Sequence, residues 1–130
     1  MSVKTTFEEM SNVELNYHVG ARLGYKGLVA TKYANSGWTY MKQDRHIPYM
    51  KERMPLPDFT SGHMPFVYHL CDEMRKRFNV ESVVRWDTEN RSWTCLLYTD
   101  EIDLSVTDES LGRAVVRAFL EYDDAVSNGV

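Results

Sequence analysis

The stretch RHIPYMKERMPLPDFTSGHMP, Arg45–Pro65, decides how this 130-residue chain is assembled, because the sequence on either side parses readily into helices and hairpins. Prolines 48, 55 and 57 keep it out of regular structure, since each removes a backbone donor and fixes φ. On that reading residues 43–62 are a long Pro/Met-rich loop within a single domain spanning 1–130. Unstructured connections beyond about 12–15 residues are uncommon in compact domains and are usually functional or disordered. Disorder is the weaker option, because Ile47, Tyr49, Met50, Met54, Leu56 and Phe59 are costly to leave in water. Two readings stay open: a lid folded back on the body, or a contact surface.

Before the loop, Ser11 and Glu14 make a capping box, Leu15, Val19 and Leu23 recur at helical spacing, and Gly24 offers a left-handed stop. LVATKY and WTYMK then flank ANSG, which predicts a hairpin turning at Asn35–Gly37. After the loop, Met64, Val67, Cys71, Met74 and Phe78 stripe a second helix. Its N-cap is Gly62 or His63, which leaves Pro65 in the proline-tolerant first turn. SVVRWD and SWTCLLYT predict a second hairpin through TEN. ESLGRAVVRAFLEY predicts a last helix, capped by Asp108 and striped by Leu111, Val115, Ala118 and Tyr122. The expected order is α-β-β-α-β-β-α, an α+β fold with a four-stranded, mainly antiparallel sheet and three helices. The run CLLY, Cys95–Tyr98, suggests a strand buried on both faces, hence a three-layer α/β/α sandwich.

Three segments resemble the phage ABA-sandwich domain family of small bacteriophage accessory proteins. ELNYHVGARLGY is similar to its opening helix, through Val19 to Tyr25. PDFTS, Pro57–Ser61, is similar to its entry to the second helix. GRAVVRAFLEY is similar to its alanine-punctuated final helix, through Ala114, Ala118 and Leu120. The resemblance implies a layered α/β/α fold and a phage origin, with no shared catalytic residues. It also implies binding to host machinery or to a host defence component such as a CRISPR-Cas system.

Composition sets outer bounds. Apolar residues at 43% and charged residues at 26% are ordinary for a folded domain. No apolar run approaches the roughly 20 residues of a membrane span, and the opening MSVKTTFEEMSNVE lacks a secretory core, so a cytoplasmic protein is expected. Cys71 and Cys95 are then expected to be reduced. A net charge of −4 is the wrong sign for bulk nucleic-acid binding, and no direct DNA binding is expected. The charge is uneven: residues 1–80 carry 11 Lys/Arg against 8 Asp/Glu, and residues 81–130 carry 4 against 11. If the fold keeps the halves apart, one side is basic and the other acidic.

No metal or catalytic signature is present: neither C-x-x-C, H-E-x-x-H nor a calcium loop, neither G-x-S-x-G nor a Walker loop. His69 with Asp72 or Glu73 reads as a surface pair, and DEIDLSVTDES as a solvated strand end running into a helix N-terminus. Cys71 reads as a core residue on the helix-two stripe. No cofactor and no catalytic residue are assigned, and a small hydrolase ranks last among the functional readings. The leading reading makes the loop a surface for a host protein, built on Arg45, His46, Tyr49, Met50, Lys51, Arg53 and Met54. Methionines repack around irregular partners, aromatics and arginines anchor interfaces, and prolines limit the entropy lost on binding. The alternative captures a phosphorylated nucleotide at the start of the second helix. There Thr60, Ser61, His63 and free backbone N–H groups would meet phosphate, Arg45 and Arg53 would supply charge, and Trp38 or Phe59 would stack on a base. A second subunit of a homodimer would complete that pocket.

Overall fold

The computed structural model describes residues 6–43, 46–47, 51–98 and 103–127. The first helix, α1 (Asn12–Arg22), starts as its capping box predicts. Ser11 Oγ accepts the Glu14 N–H at 3.2 Å, and the Glu14 carboxylate accepts the Ser11 N–H at 3.4 Å. It stops at Gly24, whose φ of +96° is one that a side chain would resist. Strands β1 (Val29–Ala30), β2 (Trp38–Gln43) and β3 (Lys51–Pro55) follow and form one antiparallel sheet in that order. A 3₁₀ turn at Phe59–Ser61 leads into α2 (Met64–Phe78). Strands β4 (Glu81–Asp87), β5 (Ser92–Tyr98) and β6 (Asp103–Asp108) form a second antiparallel sheet, and α3 (Leu111–Ser127) closes the chain's described part.

The architecture is therefore α+β with three helices and two separate three-stranded sheets, in the order α-β-β-β-α-β-β-β-α. The expected single four-stranded sheet is corrected on two counts. The first is β3, which lies inside the stretch read as loop. The Leu56 N–H donates to the Trp38 carbonyl at 2.9 Å, and the register pairs Tyr40 with Met54 and Lys42 with Glu52. Hydrogen bonding alternates along an antiparallel strand, so Glu52, Met54 and Leu56 face β2 while Lys51, Arg53 and Pro55 face away. Pro55 thus sits where its missing N–H breaks no bond, the one kind of strand position proline tolerates. The second is β6, within the acidic run, where Leu104 and Val106 turn inward and Ser105 and Thr107 outward.

The CLLY segment is not buried on both faces. Cys95 and Leu97 are buried, Leu96 is half-buried and Tyr98 is 48% exposed, so β5 alternates and only one face of its sheet is covered. That face packs on α3, the central element, which also touches α1, α2 and the 3₁₀ turn. Every residue from Ala114 to Leu120 is buried, so the middle of α3 is enclosed all round, beyond the stripe through Val115, Ala118 and Tyr122, while Val126 and Ser127 at its end are exposed. Its N-cap is Ser110, whose Oγ accepts the Arg113 N–H, and not Asp108. A Cβ on Gly112 would stand 2.3 Å from the Thr60 carbonyl oxygen, so only glycine lets α3 cross the turn this closely. In α2 the N-cap is His63 and Pro65 lies in the first turn. Leu70 joins Val67 and Met74 in the core, while Met64 is 45% exposed.

Candidate interaction surface

The first sheet concentrates positive charge. Its strands and connections, residues 26–43 and 51–55, hold Lys26, Lys32, Lys42, Lys51 and Arg53 against a single acid, Glu52. One face turns inward: Tyr40 meets Tyr25 edge to face at 4.6 Å, Tyr25 in turn lies 6.2 Å from Phe59, and Leu56 is buried. Burial, with Tyr40 beside it, pushes the Tyr25 phenol above its ordinary value. By strand alternation the opposite face carries Thr39, Met41, Lys51, Arg53 and Pro55. Arg53 is exposed, and its Nη1 donates to the Gly27 carbonyl at 2.9 Å and to Thr39 Oγ1 at 3.0 Å, bracing the sheet. Lys51 is exposed and Met54 half-buried. His46 is exposed; Arg45, Tyr49 and Met50 lie outside the described residues.

At the end of β3 the chain folds around an open concavity of about 640 Å³, lined by the Pro55–Asp58 segment, Ser61–His63, Phe66 and Asn35. The residues proposed for a nucleotide only partly meet there. Ser61 and His63 line it, with Ser61 Oγ accepting the His63 N–H at 3.1 Å and the His63 ring edge-on to Phe66 at 5.0 Å. Phe59 and Thr60 point into the core, 1% and 3% exposed. Trp38 is held elsewhere: its Nε1 donates to the Val13 carbonyl at 2.8 Å and its ring lies 4.8 Å from Tyr17. No Lys or Arg lines the concavity, and the carboxylate of Asp58 does. Among the described residues, then, an anion there meets a negative group and no cation.

Asp58 belongs to a polar joint that the sequence reading missed. Asn16, fully buried on α1, donates through Nδ2 to Asp58 Oδ1 at 3.0 Å and to the Ser36 carbonyl at 3.3 Å. Its Oδ1 accepts the Phe59 N–H at 3.0 Å, and Thr60 Oγ1 donates to Asp58 Oδ1 at 2.8 Å. One side chain thereby ties α1 to both the β1–β2 connection and the 3₁₀ turn. The signal for it was a polar residue between the apolar positions Leu15 and Val19.

A second, smaller cleft of about 420 Å³ lies at the start of α3. Asp108 Oδ2 stands 3.1 Å from both Arg113 Nε and Arg117 Nη1. Arg113 also donates to Asn12 Oδ1 at 2.7 Å and to the Glu8 carbonyl at 3.2 Å, and Arg117 to the Thr107 carbonyl at 2.9 Å. These cations fasten the helix to β6 and to the N-terminal segment; the cleft's other charges are Glu8 and Glu109. Arg113 and Arg117, one helical turn apart and just after Asp108, were the available sequence clue. On α2, Asp72 pairs with Arg75 and Lys76, and Glu73 with Arg77. Among the described residues no group of three or more His, Cys, Asp or Glu is placed to hold a metal ion. Both cysteines are free, and burial pushes the Cys95 thiol up to about 12.

Two exposed aromatic features also escaped the sequence reading. Tyr33 is 89% exposed at the β1–β2 connection, with the Lys32 ammonium 5.6 Å from its ring. Val13 and Tyr17, one turn apart on α1, are 43% and 39% exposed beside Trp38. No described helix is long and apolar enough to cross a membrane. Compared with known proteins, the chain matches no family model, no curated protein and no solved structure.

Proposed function

We propose that this chain is a non-catalytic accessory protein of bacteriophage type that binds a host protein and so blocks a component of host anti-phage defence. The observation that carries the binding part is the β3 edge: an exposed, cationic outer strand lying inside the Arg45–Pro65 stretch and, among the described residues, pairing on one side only. Exposed strand edges are ready templates for another chain, and the charges and proline that guard this one against pairing with itself leave it open to a strand of opposite charge. The adjoining concavity, with Pro55, Pro57 and Phe66 in its lining, extends that surface with apolar area of the kind that anchors interfaces. The phage origin and the defence target rest on the likeness to the phage ABA-sandwich domain. Blocking by occupancy needs no catalytic group, and one presented sheet edge is sufficient for it.

The experiment is capture from host extract with native mass spectrometry of the eluate, comparing the wild-type protein with Lys51→Glu and Tyr49→Ala. The expected result is a protein of defined mass retained by the wild type and lost by both variants, whose circular dichroism is unchanged. Retention of that protein by both variants overturns the assignment of the surface. A non-covalent cargo of a few hundred daltons in place of a protein overturns the reading itself in favour of ligand sequestration.

A further inference from the structure

We infer that the partner presents an extended acidic segment that adds a strand to β3, with carboxylates at alternate positions opposite Lys51 and Arg53. This rests on the protein-binding reading above and names the chemistry of what is bound. Because Leu56, Met54 and Glu52 face β2, the N–H and C=O of Lys51 and Arg53, and the C=O of Pro55, point to the other side. Among the described residues no strand lies there. Donors and acceptors alternating at strand spacing match another polypeptide backbone. A phosphodiester backbone offers acceptors alone and would leave the Lys51 and Arg53 carbonyls unmatched, which favours a protein segment over a nucleic acid.

The charge pattern then selects among segments. In an antiparallel pair, the residue directly opposite an outward-facing one exchanges both hydrogen bonds with it, and the two side chains share a face. Residues opposite Lys51 and Arg53 therefore project beside those two cations, on the face with Thr39 and Met41. Opposite charges in such pairs stabilise and like charges cost. A second copy of β3 would set Lys51 and Arg53 against themselves, and a basic strand would fare no better. The Arg53 guanidinium is drawn over β2 by its bonds to Gly27 and Thr39, so it adds its charge to that face while Lys51, exposed at the edge, is the cation nearer an incoming carboxylate. Pro55, with no N–H to offer, ends the added ladder. The same residues that guard this edge against self-association leave it open to a strand carrying Glu or Asp at every second position.

The test is an NMR titration of the intact protein with short end-blocked Thr-Glu repeat peptides, taken to millimolar concentration. The controls are a Thr-Lys repeat, Thr-Glu repeats N-methylated at either the Glu or the Thr positions, and an oligothymidylate. Expected are shifts and exchange protection at the Lys51 and Arg53 amides with the Thr-Glu peptide and none with Thr-Lys. Methylation at Glu should weaken binding by about tenfold or more, the equivalent of one lost hydrogen bond, while methylation at Thr leaves it unchanged. Lys51→Pro, which deletes an outward N–H without touching a bond to β2, should bind more weakly than Lys51→Gln. Equal effects of the two methylations, stronger binding of the oligothymidylate, shifts confined to other surfaces, or no binding at all would each overturn the inference. So would protection of the same amides by self-association without peptide. Any of these results leaves the parent reading standing as long as host-protein capture still depends on Lys51; loss of that dependence overturns the assigned surface, and capture of a small cargo in place of a protein removes the parent reading on its own.

Discussion

Asn16 shows what a single buried amide can hold together. It uses both donor and acceptor, on the Ser36 carbonyl, Asp58 and the Phe59 N–H, with no exposure to water. Asn16→Ala leaves the Phe59 N–H and one Asp58 lone pair unpaired in the interior and opens a small void. An unsatisfied buried group costs about 1–3 kcal/mol, so a loss of about 3 kcal/mol is expected in urea unfolding, with the slope unchanged. Glu121 gives a prediction of opposite sign. Its Oε2 is buried without a hydrogen-bond partner, and desolvation pushes the carboxyl pKa above its ordinary value, outweighing the attraction of Arg117. Ionising it costs more in the native state than in the unfolded one. The penalty is absent while both states are protonated, grows as pH rises from the ordinary carboxylate value through the raised one, and is constant above. Glu121→Gln should match the wild type at acid pH and exceed it in stability at neutral pH. Thermal unfolding across that range checks this, and a constant difference at every pH would contradict it.

Among the elements, α3 depends most on one charged joint. Asp108, at the end of β6, pairs with both Arg113 and the buried Arg117, so strand and helix meet through a shared carboxylate. Asp108→Asn keeps the Oδ1 that accepts the Ser110 N–H but turns the Oδ2 that accepts from Arg113 and Arg117 into an NH2 donor, so the charge and both of those hydrogen bonds are lost. An uncompensated buried guanidinium should cost about 3 kcal/mol, and adding Arg117→Met should recover much of it. Equal, additive losses in the double variant would show that the two residues are not coupled. The helices were legible in the sequence because their signals are local: Ser11 with Glu14, Gly24, and Val115, Ala118 and Tyr122 one turn apart. The sheets were less so. Prolines 55 and 57 were read as breakers, and whether a proline breaks a strand depends on which side of it a neighbour lies, which is not local information. The acidic run hid β6 for a related reason: its charges drew the reading, while the inward Leu104 and Val106 acquire meaning only beside β5. Of the candidate site, the stretch itself was legible; the inward turn of Phe59 and Thr60 was not, because it depends on Asn16 some forty residues earlier.

Taken whole, the molecule is built unequally around α3. The second sheet, α1, α2 and the 3₁₀ turn all pack on that enclosed helix. The first sheet is attached through fewer links: Asn16 to Ser36, which is buried, and the less enclosed Trp38 to the Val13 carbonyl and Tyr40 against Tyr25. No residue of β1, β2 or β3 is fully buried, whereas seven consecutive residues of α3 are. Local opening free energy follows buried apolar contact, so the first sheet should open as a unit of its own, below the global stability. Native-state hydrogen exchange tests this. The Tyr40, Lys42, Glu52 and Met54 amides, which face across the β2–β3 ladder, should exchange through openings about 2–3 kcal/mol smaller than those of Val115, Val116 and Phe119. Their dependence on denaturant should be smaller too, because less surface is exposed. Asn16→Ala should widen the gap, since it cuts one of the links and leaves α3 alone. Identical opening energies in both regions would mean that the sheet is an integral part of the core. The proposed function needs the first outcome: an edge that another strand must join is best carried by a sheet whose order is nearly complete, so that the added strand supplies the remaining stability and its binding is read directly as protection of these amides.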